Sequence, residues 1–394
     1  MRTAKRLEGV GEYYFSRKLR EIEQLNLDGQ SVINLGIGSP DLPPHPEVIR
    51  VLQEESLKPN QHAYQSYKGS AVLRKAISDW YQQWYRVALH PQTEILPLLG
   101  SKEGIMHICM TYINPGDLVL IPNPGYPTYA SAATIAGATV LPYDLTEANN
   151  WMPDFAQLRI QIERYRNAQA DGAYHRILTF LNYPHMPTGQ LPSKTLFEKW
   201  IAFAREMELL LVHDNPYSFI LNDQPLSILE VTGAKEVAVE LNSLSKSHNM
   251  AGWRIGFLAG SQQRIDEVLR FKSNMDSGMF LPLQLAAAKA LELEKEWHDE
   301  VNAIYRTRRE KVYELLNCLK CTYNPNQAGM FVWAKISEQY DNGYTLSDAV
   351  LSKSRVFITP GGIFGTNGSQ YIRVSLCSDV STFEQALERI KAHF

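Results

Sequence analysis

Between Val51 and about Gly260, short apolar runs alternate with amphipathic stretches of helical period, and this alternation constrains the fold more than any other feature. Residues 118–122, 139–145, 177–182, 209–213, 237–241 and 254–259 read as strands. Residues 100–113 and 193–207 read as helices; the second has Ser193 or Thr195 as N-cap, with Thr195 and Glu198 spaced as a capping box. Near-continuous apolar strands are buried on both faces, and strands alternating with helices form a mostly parallel sheet, so the fold class is α/β.

The last third reads differently. A long helical stretch covers about 282–319, followed by strands at 331–334 and 371–376 and a helix at 381–393. This is the pattern of a smaller α+β unit, which the apolar, then Gly-rich segment 31–36 joins from the other end of the chain. The expected organisation is an arm and the start of the small unit at 1–45, a large domain at 46–285, and an interdomain helix with the rest of the small unit at 286–394. The boundary near Leu285 falls inside a predicted helix rather than in a linker.

A length of 394 residues suits two or three domains. The hydrophobic share of 44% and charged share of 21% are ordinary for a globular protein. A net charge of −3 argues against a nucleic-acid binder, which needs a surplus of Lys and Arg. Cys318 and Cys321 form a C-x-x-C without a second Cys/His pair at zinc spacing, so they are expected to be reduced thiols and no metal site is expected. Residues 1–12 lack the apolar core of a signal peptide, and runs such as 209–212 are too short to span a bilayer. A cytoplasmic address and no membrane partner are expected.

Several segments carry chemistry. In Ser243-Leu-Ser245-Lys246, with Gly252-Trp-Arg254-Ile-Gly downstream, a lysine sits among small hydroxyl residues at a strand end. Such a lysine becomes a Schiff-base nucleophile when burial and a nearby cation depress its pKa, and Arg254 can hold a phosphate bidentately. In Val212-His-Asp214-Asn-Pro-Tyr217 an acid lies just past a buried strand, at the sheet edge where α/β proteins bind ligands. Gly100-Ser101-Lys102 opens a helix whose free amides suit a phosphate. Pro122-Asn-Pro-Gly-Tyr126 is a rigid turn that holds an aromatic ring. Gly36-Ile-Gly38-Ser-Pro-Asp41 permits close backbone approach to a ligand, and Arg373 in Tyr371-Ile-Arg-Val-Ser offers a planar fork. Tyr64-Gln-Ser-Tyr-Lys-Gly69 before Leu73-Arg74, and Asn182-Tyr-Pro-His-Met186-Pro-Thr-Gly189, complete the set.

Taken in chain order from Gly38 to Arg373, and so over essentially the whole chain, these segments resemble the class I/II aminotransferases, fold type I enzymes of pyridoxal 5′-phosphate (PLP). The resemblance implies a large domain with a mostly parallel seven-stranded sheet plus a smaller α+β domain. It implies a homodimer that moves an amino group from an amino acid to a 2-oxo acid, through an internal aldimine on Lys246. It gives Asp214 the pyridine nitrogen, Tyr217 the phenolic oxygen and Tyr126 the ring face. Ser101, the amide of Lys102, Ser243, Ser245 nearby and Arg254 take the phosphate, with Tyr64 reaching the partner's site in trans. Asn182 lies near the cofactor, and Gly38 and Arg373 take the substrate carboxylate. Arg74 is expected to be structural. The family has an Asn donor to the phenolic oxygen where this chain has Met186, and methionine has no donor; Asn182 or a water is left to replace it.

Two other readings share the motifs. One is a C–S β-lyase or decarboxylase on the same scaffold. The other is a non-catalytic PLP sensor, which needs an N-terminal helix-turn-helix for which the early Gly38 motif leaves no room. Tyr13, Tyr14 and Phe15 are expected either to cover the site as an arm or to dock on the surface.

Overall fold

Seven strands form one sheet at the centre of the chain: β1 (Ile95–Leu98), β2 (Leu118–Asn123), β3 (Thr139–Asp144), β4 (Ile177–Asn182), β5 (Leu210–Asp214), β6 (Ala238–Ser243) and β7 (Gly256–Ala259). Their order is β1-β7-β6-β5-β4-β2-β3, with β7 antiparallel to both neighbours and every other pairing parallel. The computed structural model describes residues 3–12, 14–169 and 175–394; Tyr13 therefore lies outside the described residues.

β4, β5 and β6 are buried along their whole length; their apolar runs are interrupted by Thr179, His213 and Glu240, which are buried as well. One face packs Leu211, Phe257 and Leu120 against Trp80, Phe197 and Trp200; the other packs Val212, Phe180 and Leu241 against Ile105, Ile108 and Ala132. A second apolar cluster gathers Trp333, Ile372, Val374, Phe383 and Leu316. It lies on a four-stranded antiparallel sheet of Thr322–Tyr323, Phe331–Lys335, Thr359–Pro360 and Tyr371–Ser375. Beside it, Ile33–Asn34 pairs in parallel with Val356–Phe357, so the start of the chain does join the C-terminal unit.

Some local expectations are corrected. Ser193 alone caps helix Lys194–Glu206, its Oγ accepting from Leu196 N at 3.1 Å, so the Thr195–Glu198 capping box does not form. The stretch 282–319 is two helices, Leu281–Leu291 and Lys295–Cys318. The first is buried nearly all round among the helices Pro46–Ser56 and Ala71–Tyr85; the second is amphipathic and turns towards the small unit. The last central strand starts at Gly256 rather than Arg254, because Arg254 is in the left-handed region with φ 57°.

Candidate active site

The C-terminal ends of β4, β5 and β6 meet the small sheet around a cavity of about 520 Å³. Gly38, Ser101, Lys102, Tyr126, Asn182, Asp214, Tyr217, Ser243, Ser245, Lys246, Arg254 and Arg373 all line it.

β6 ends at Ser243, whose Oγ accepts from Ser245 N at 3.2 Å and starts the one-turn helix Leu244–Ser247. This turn projects Lys246 into the cavity, where Nζ donates to Gly38 O at 2.6 Å. Burial above all, helped by the Arg373 and Arg254 charges, pushes the ammonium down to about 8. A lysine so shifted is a competent nucleophile near neutral pH.

Asp214 ends β5 and is buried. Tyr129 Oη donates to its Oδ2 at 2.7 Å, while Oδ1 has no hydrogen-bond partner among the described residues. Burial pushes the carboxyl up to about 6, and the Tyr129 bond and His213 charge oppose that rise. The sequence reading assigns Tyr129 no role. The available signal is its spacing from Tyr126, one helical turn on helix Pro127–Ala136. Tyr129 stacks on Phe180 with centroids 4.7 Å apart, and Tyr126 meets Tyr129 edge-on.

On the other side, helix Ser101–Tyr112 begins at Gly100, with φ 92°. A Cβ at Gly100 would stand 2.2 Å from Arg254 Nη2, so only glycine lets this helix start approach the guanidinium. A Cβ at Gly256 would likewise stand 2.6 Å from Ser101 N. Helix-start amides, hydroxyls and a guanidinium thus converge in one cradle that suits a phosphate.

Arg373 is buried, with Nη2 donating to Gly36 O at 2.9 Å and Nη1 3.4 Å from Met186 Sδ. Its guanidinium carbon lies 3.8 Å from the Phe331 ring centroid and 4.6 Å from that of Phe364. A Cβ at Gly38 would stand 2.2 Å from the Phe331 ring, which explains the glycine there. The Gly38 loop is fastened by Asp41, whose two oxygens each accept from Arg308 at 2.7 Å; Arg308 Nη1 also donates to Leu376 O.

Asn182 holds the turn that carries Met186: Nδ2 donates to Asp214 O at 2.6 Å, and Oδ1 accepts from Met186 N at 2.8 Å. Phe15 and Leu19 of helix Tyr14–Leu27 line the cavity, whereas Tyr14 packs edge-on against Phe15 and Tyr344. Arg74 is away from the site, bonded to the Pro91, Lys68 and Gly69 carbonyls and to Gln92. Tyr64 is not brought to this cavity; it is 92% exposed. Behind the cradle, Glu103, His107 and Asp276 bring ligand-type atoms together, but Lys272 Nζ, 2.6 Å from Asp276, already supplies a cation.

The family model for aminotransferase class I and II matches residues 30–390. The chain belongs to this family. An LL-diaminopimelate aminotransferase of Dehalococcoides mccartyi is 37% identical over 395 residues, covering 100% of this chain and 99% of its own. That of Desulforudis audaxviator is 39% identical over 390 residues, covering 98% of this chain and 97% of its own. Among solved structures, substrate-bound BacF of Bacillus subtilis superposes with a TM-score of 0.91 at 34% identity, over 100% of this chain and 98% of that one. The protein is thus an aminotransferase of fold type I, with the expected mostly parallel seven-stranded sheet. Among the described residues, no helix of this aminotransferase is long and apolar enough to cross a membrane.

Proposed function

We propose that this aminotransferase holds PLP in the cavity and exchanges amino groups between an amino acid and a 2-oxo acid there. The observation that carries the reading is the convergence of Lys246, the unpartnered Oδ1 of Asp214 and the buried Arg373 guanidinium in one cavity. The donor set also fits the cofactor: a phosphate cradle at Gly100–Lys102, Ser243, Ser245 and Arg254, a carboxylate for the ring nitrogen and a phenol, Tyr217, for the ring oxygen. When bound, PLP supplies a carbonyl for the amine and an electron sink for the substrate's Cα.

The chain's own residues do the rest. Lys246 Nζ is neutral in part near pH 8, so it forms the covalent link and, once released, takes a proton from Cα and returns it. Asp214 Oδ1 keeps the ring nitrogen protonated. Tyr126 covers the ring. Arg373 and the Gly38 amide orient the substrate carboxylate, the guanidinium being fixed already by Gly36 O and its aromatic walls.

The active unit in this reading is a homodimer. Tyr64, Tyr67, Met275 and Phe280 are all exposed, and the Gln65–Gly278 bridge joins the two segments that carry them. A second copy covering this apolar surface would take Tyr64 into its own site. The domain limits 1–45, 46–285 and 286–394 belong to the same proposal. The four cysteines are all free, which suits a reducing cytoplasm.

The curated relatives are named for LL-diaminopimelate, and a Pyrococcus horikoshii neighbour at 28% identity is an aromatic aminotransferase. Both donor classes therefore enter a screen against 2-oxoglutarate, pyruvate and oxaloacetate. The direct test of the site is borohydride reduction of the PLP-loaded enzyme followed by peptide mapping. Pyridoxyl-lysine at Lys246 is the expected result; label on another lysine overturns the assignment.

A further inference from the structure

On the face of the sheet turned away from the cavity lies a buried charged pair. His213 and Glu240 are register partners on the parallel strands β5 and β6, both fully buried. Successive residues of a strand point to opposite faces. Asp214 therefore turns to the cavity, and His213 turns the other way, onto Phe197 of helix Lys194–Glu206, with ring centroids 4.9 Å apart.

The hydrogen bonds place the protons. Glu240 Oε2 accepts from Ile228 N at 3.1 Å and from Ser227 Oγ at 2.8 Å, and Oε1 accepts from Tyr81 Oη at 2.8 Å. His213 Nδ1 lies 2.8 Å from that same Oε2. An oxygen already supplied by an amide and a hydroxyl is an acceptor, so Nδ1 carries a hydrogen. His213 Nε2 lies 2.9 Å from Tyr183 O, a carbonyl that can only accept, so Nε2 carries one as well. Two ring hydrogens make an imidazolium. Tyr81 and Tyr85 lie beside Glu240, and Tyr129, Tyr126 and Tyr217 around Asp214, and burial pushes all five phenols up; the cations Lys246, Arg254 and Arg373 line the cavity on the Asp214 side, so His213 is the positive group on the opposite face. The His213 charge lowers the Asp214 carboxyl against the effect of burial.

We propose that His213 is a positioning residue for amino transfer: as an imidazolium locked between Glu240 and the Tyr183 carbonyl, it keeps Asp214 ionised from behind the sheet and anchors the turn that carries Met186. This rests on the reading that Asp214 faces the ring nitrogen of PLP. A neutral side chain at 213 lets the proton move from the ring nitrogen to Asp214, and the electron sink weakens.

Two measurements test it. In the first, the holoenzyme is labelled with ¹⁵N-histidine and its imidazole nitrogens are read by NMR at neutral pH, with His213 assigned from the signals lost in His213→Gln. Both His213 nitrogens should be of the protonated type; one unprotonated nitrogen overturns the proposal. A neutron structure of the wild type reads the same two hydrogens if that variant does not fold.

In the second, His213→Gln is loaded with PLP or with N-methylated PLP, whose ring nitrogen carries a fixed positive charge. The variant should lose about tenfold in kcat with PLP, the equivalent of one pKa unit, and most of that loss should disappear with the N-methyl derivative. Equal losses with both cofactors mean a purely structural role and overturn the proposal. Glu240→Gln, which removes the partner charge, serves the same comparison if His213→Gln does not fold. Asp214→Ala separates the two levels: it should fall further than His213→Gln with PLP and also be rescued by the N-methyl derivative. If Asp214→Ala is not rescued, the place of Asp214 at the ring nitrogen fails, whereas the NMR result on His213 is unaffected.

Discussion

Tyr129 Oη lies 2.7 Å from Asp214 Oδ2, so one carboxylate oxygen is committed within the protein, and the other, Oδ1, has no hydrogen-bond partner among the described residues of the cavity. The division fixes the carboxylate plane from the helix that also carries Tyr126 at its start. A single carboxylate is thereby oriented, and the bond opposes the rise that burial imposes on it.

Tyr129→Phe removes a bond that opposes the burial-driven rise of the Asp214 carboxyl, already at about 6. The folded-state value then climbs, so the ionised form needs a higher pH. The acid limb of the kcat/KM profile should move up by somewhat less than one pH unit, matching about 1 kcal/mol for one net hydrogen bond. An unmoved limb would show that the bond does not tune Asp214.

Lys246 gives a second pH dependence, from a pKa shifted in the opposite direction. Its ammonium sits at about 8 rather than the ordinary 10.5, and only the neutral amine attacks. The rate of PLP uptake by the apoenzyme should therefore rise with pH up to about 8 and then level off. A rise that continues to pH 10 would mean that the lysine is not shifted.

Gly100→Ala sets a methyl group 2.2 Å from Arg254 Nη2, at a φ of 92° that side chains avoid. The guanidinium has to leave its place at the cradle. PLP should bind about tenfold more weakly, or about 1.4 kcal/mol, as read by equilibrium dialysis. Undiminished affinity would remove Arg254 from the phosphate contacts.

Tyr64 and Lys246 give the dimer test. Tyr64→Ala and Lys246→Ala, each inactive alone, should regain activity when mixed, because one hybrid site receives both native side chains. Confirmed subunit exchange without activity would show that Tyr64 does not act in trans.

Met186→Asn restores a donor near the phenolic oxygen of PLP. The Asn182 amide spends one of its two hydrogens on Asp214 O, so the new donor is redundant only if the second hydrogen already serves that oxygen. It draws charge from that oxygen and disfavours the protonated imine. The midpoint of the cofactor's absorbance titration should fall; an upward shift would contradict the electrostatics, and no shift would show that another group already fills the role.

The legible and the illegible parts of this site differ in kind. Lys246 with Ser243 and Ser245, and Gly100 with Ser101, are neighbours in the chain, so their spacing records their use. Asp214 is readable only beside the other segments, because an acid at a strand end, taken alone, reads as a turn. Tyr129 bonds Asp214 from 85 residues away, and Arg308 bonds Asp41 from 267 away; no local pattern announces either pair. His213 is adjacent to Asp214, yet its partner Glu240 becomes visible only when β5 and β6 lie in register. The break at residues 292–294 is hidden for another reason: both helices are good helix formers, and the turn follows from what each packs against.

Arg308 has a mechanical consequence. The same guanidinium holds both oxygens of Asp41, in the loop of Gly38, and the carbonyl of Leu376, just past the strand of Arg373. The two groups proposed to grip the substrate carboxylate, Gly38 and Arg373, are thus tied to one long helix, Lys295–Cys318. If the small unit swings on that helix, the grip travels as one piece towards Lys246, and a substrate held by it is delivered to the lysine rather than left behind.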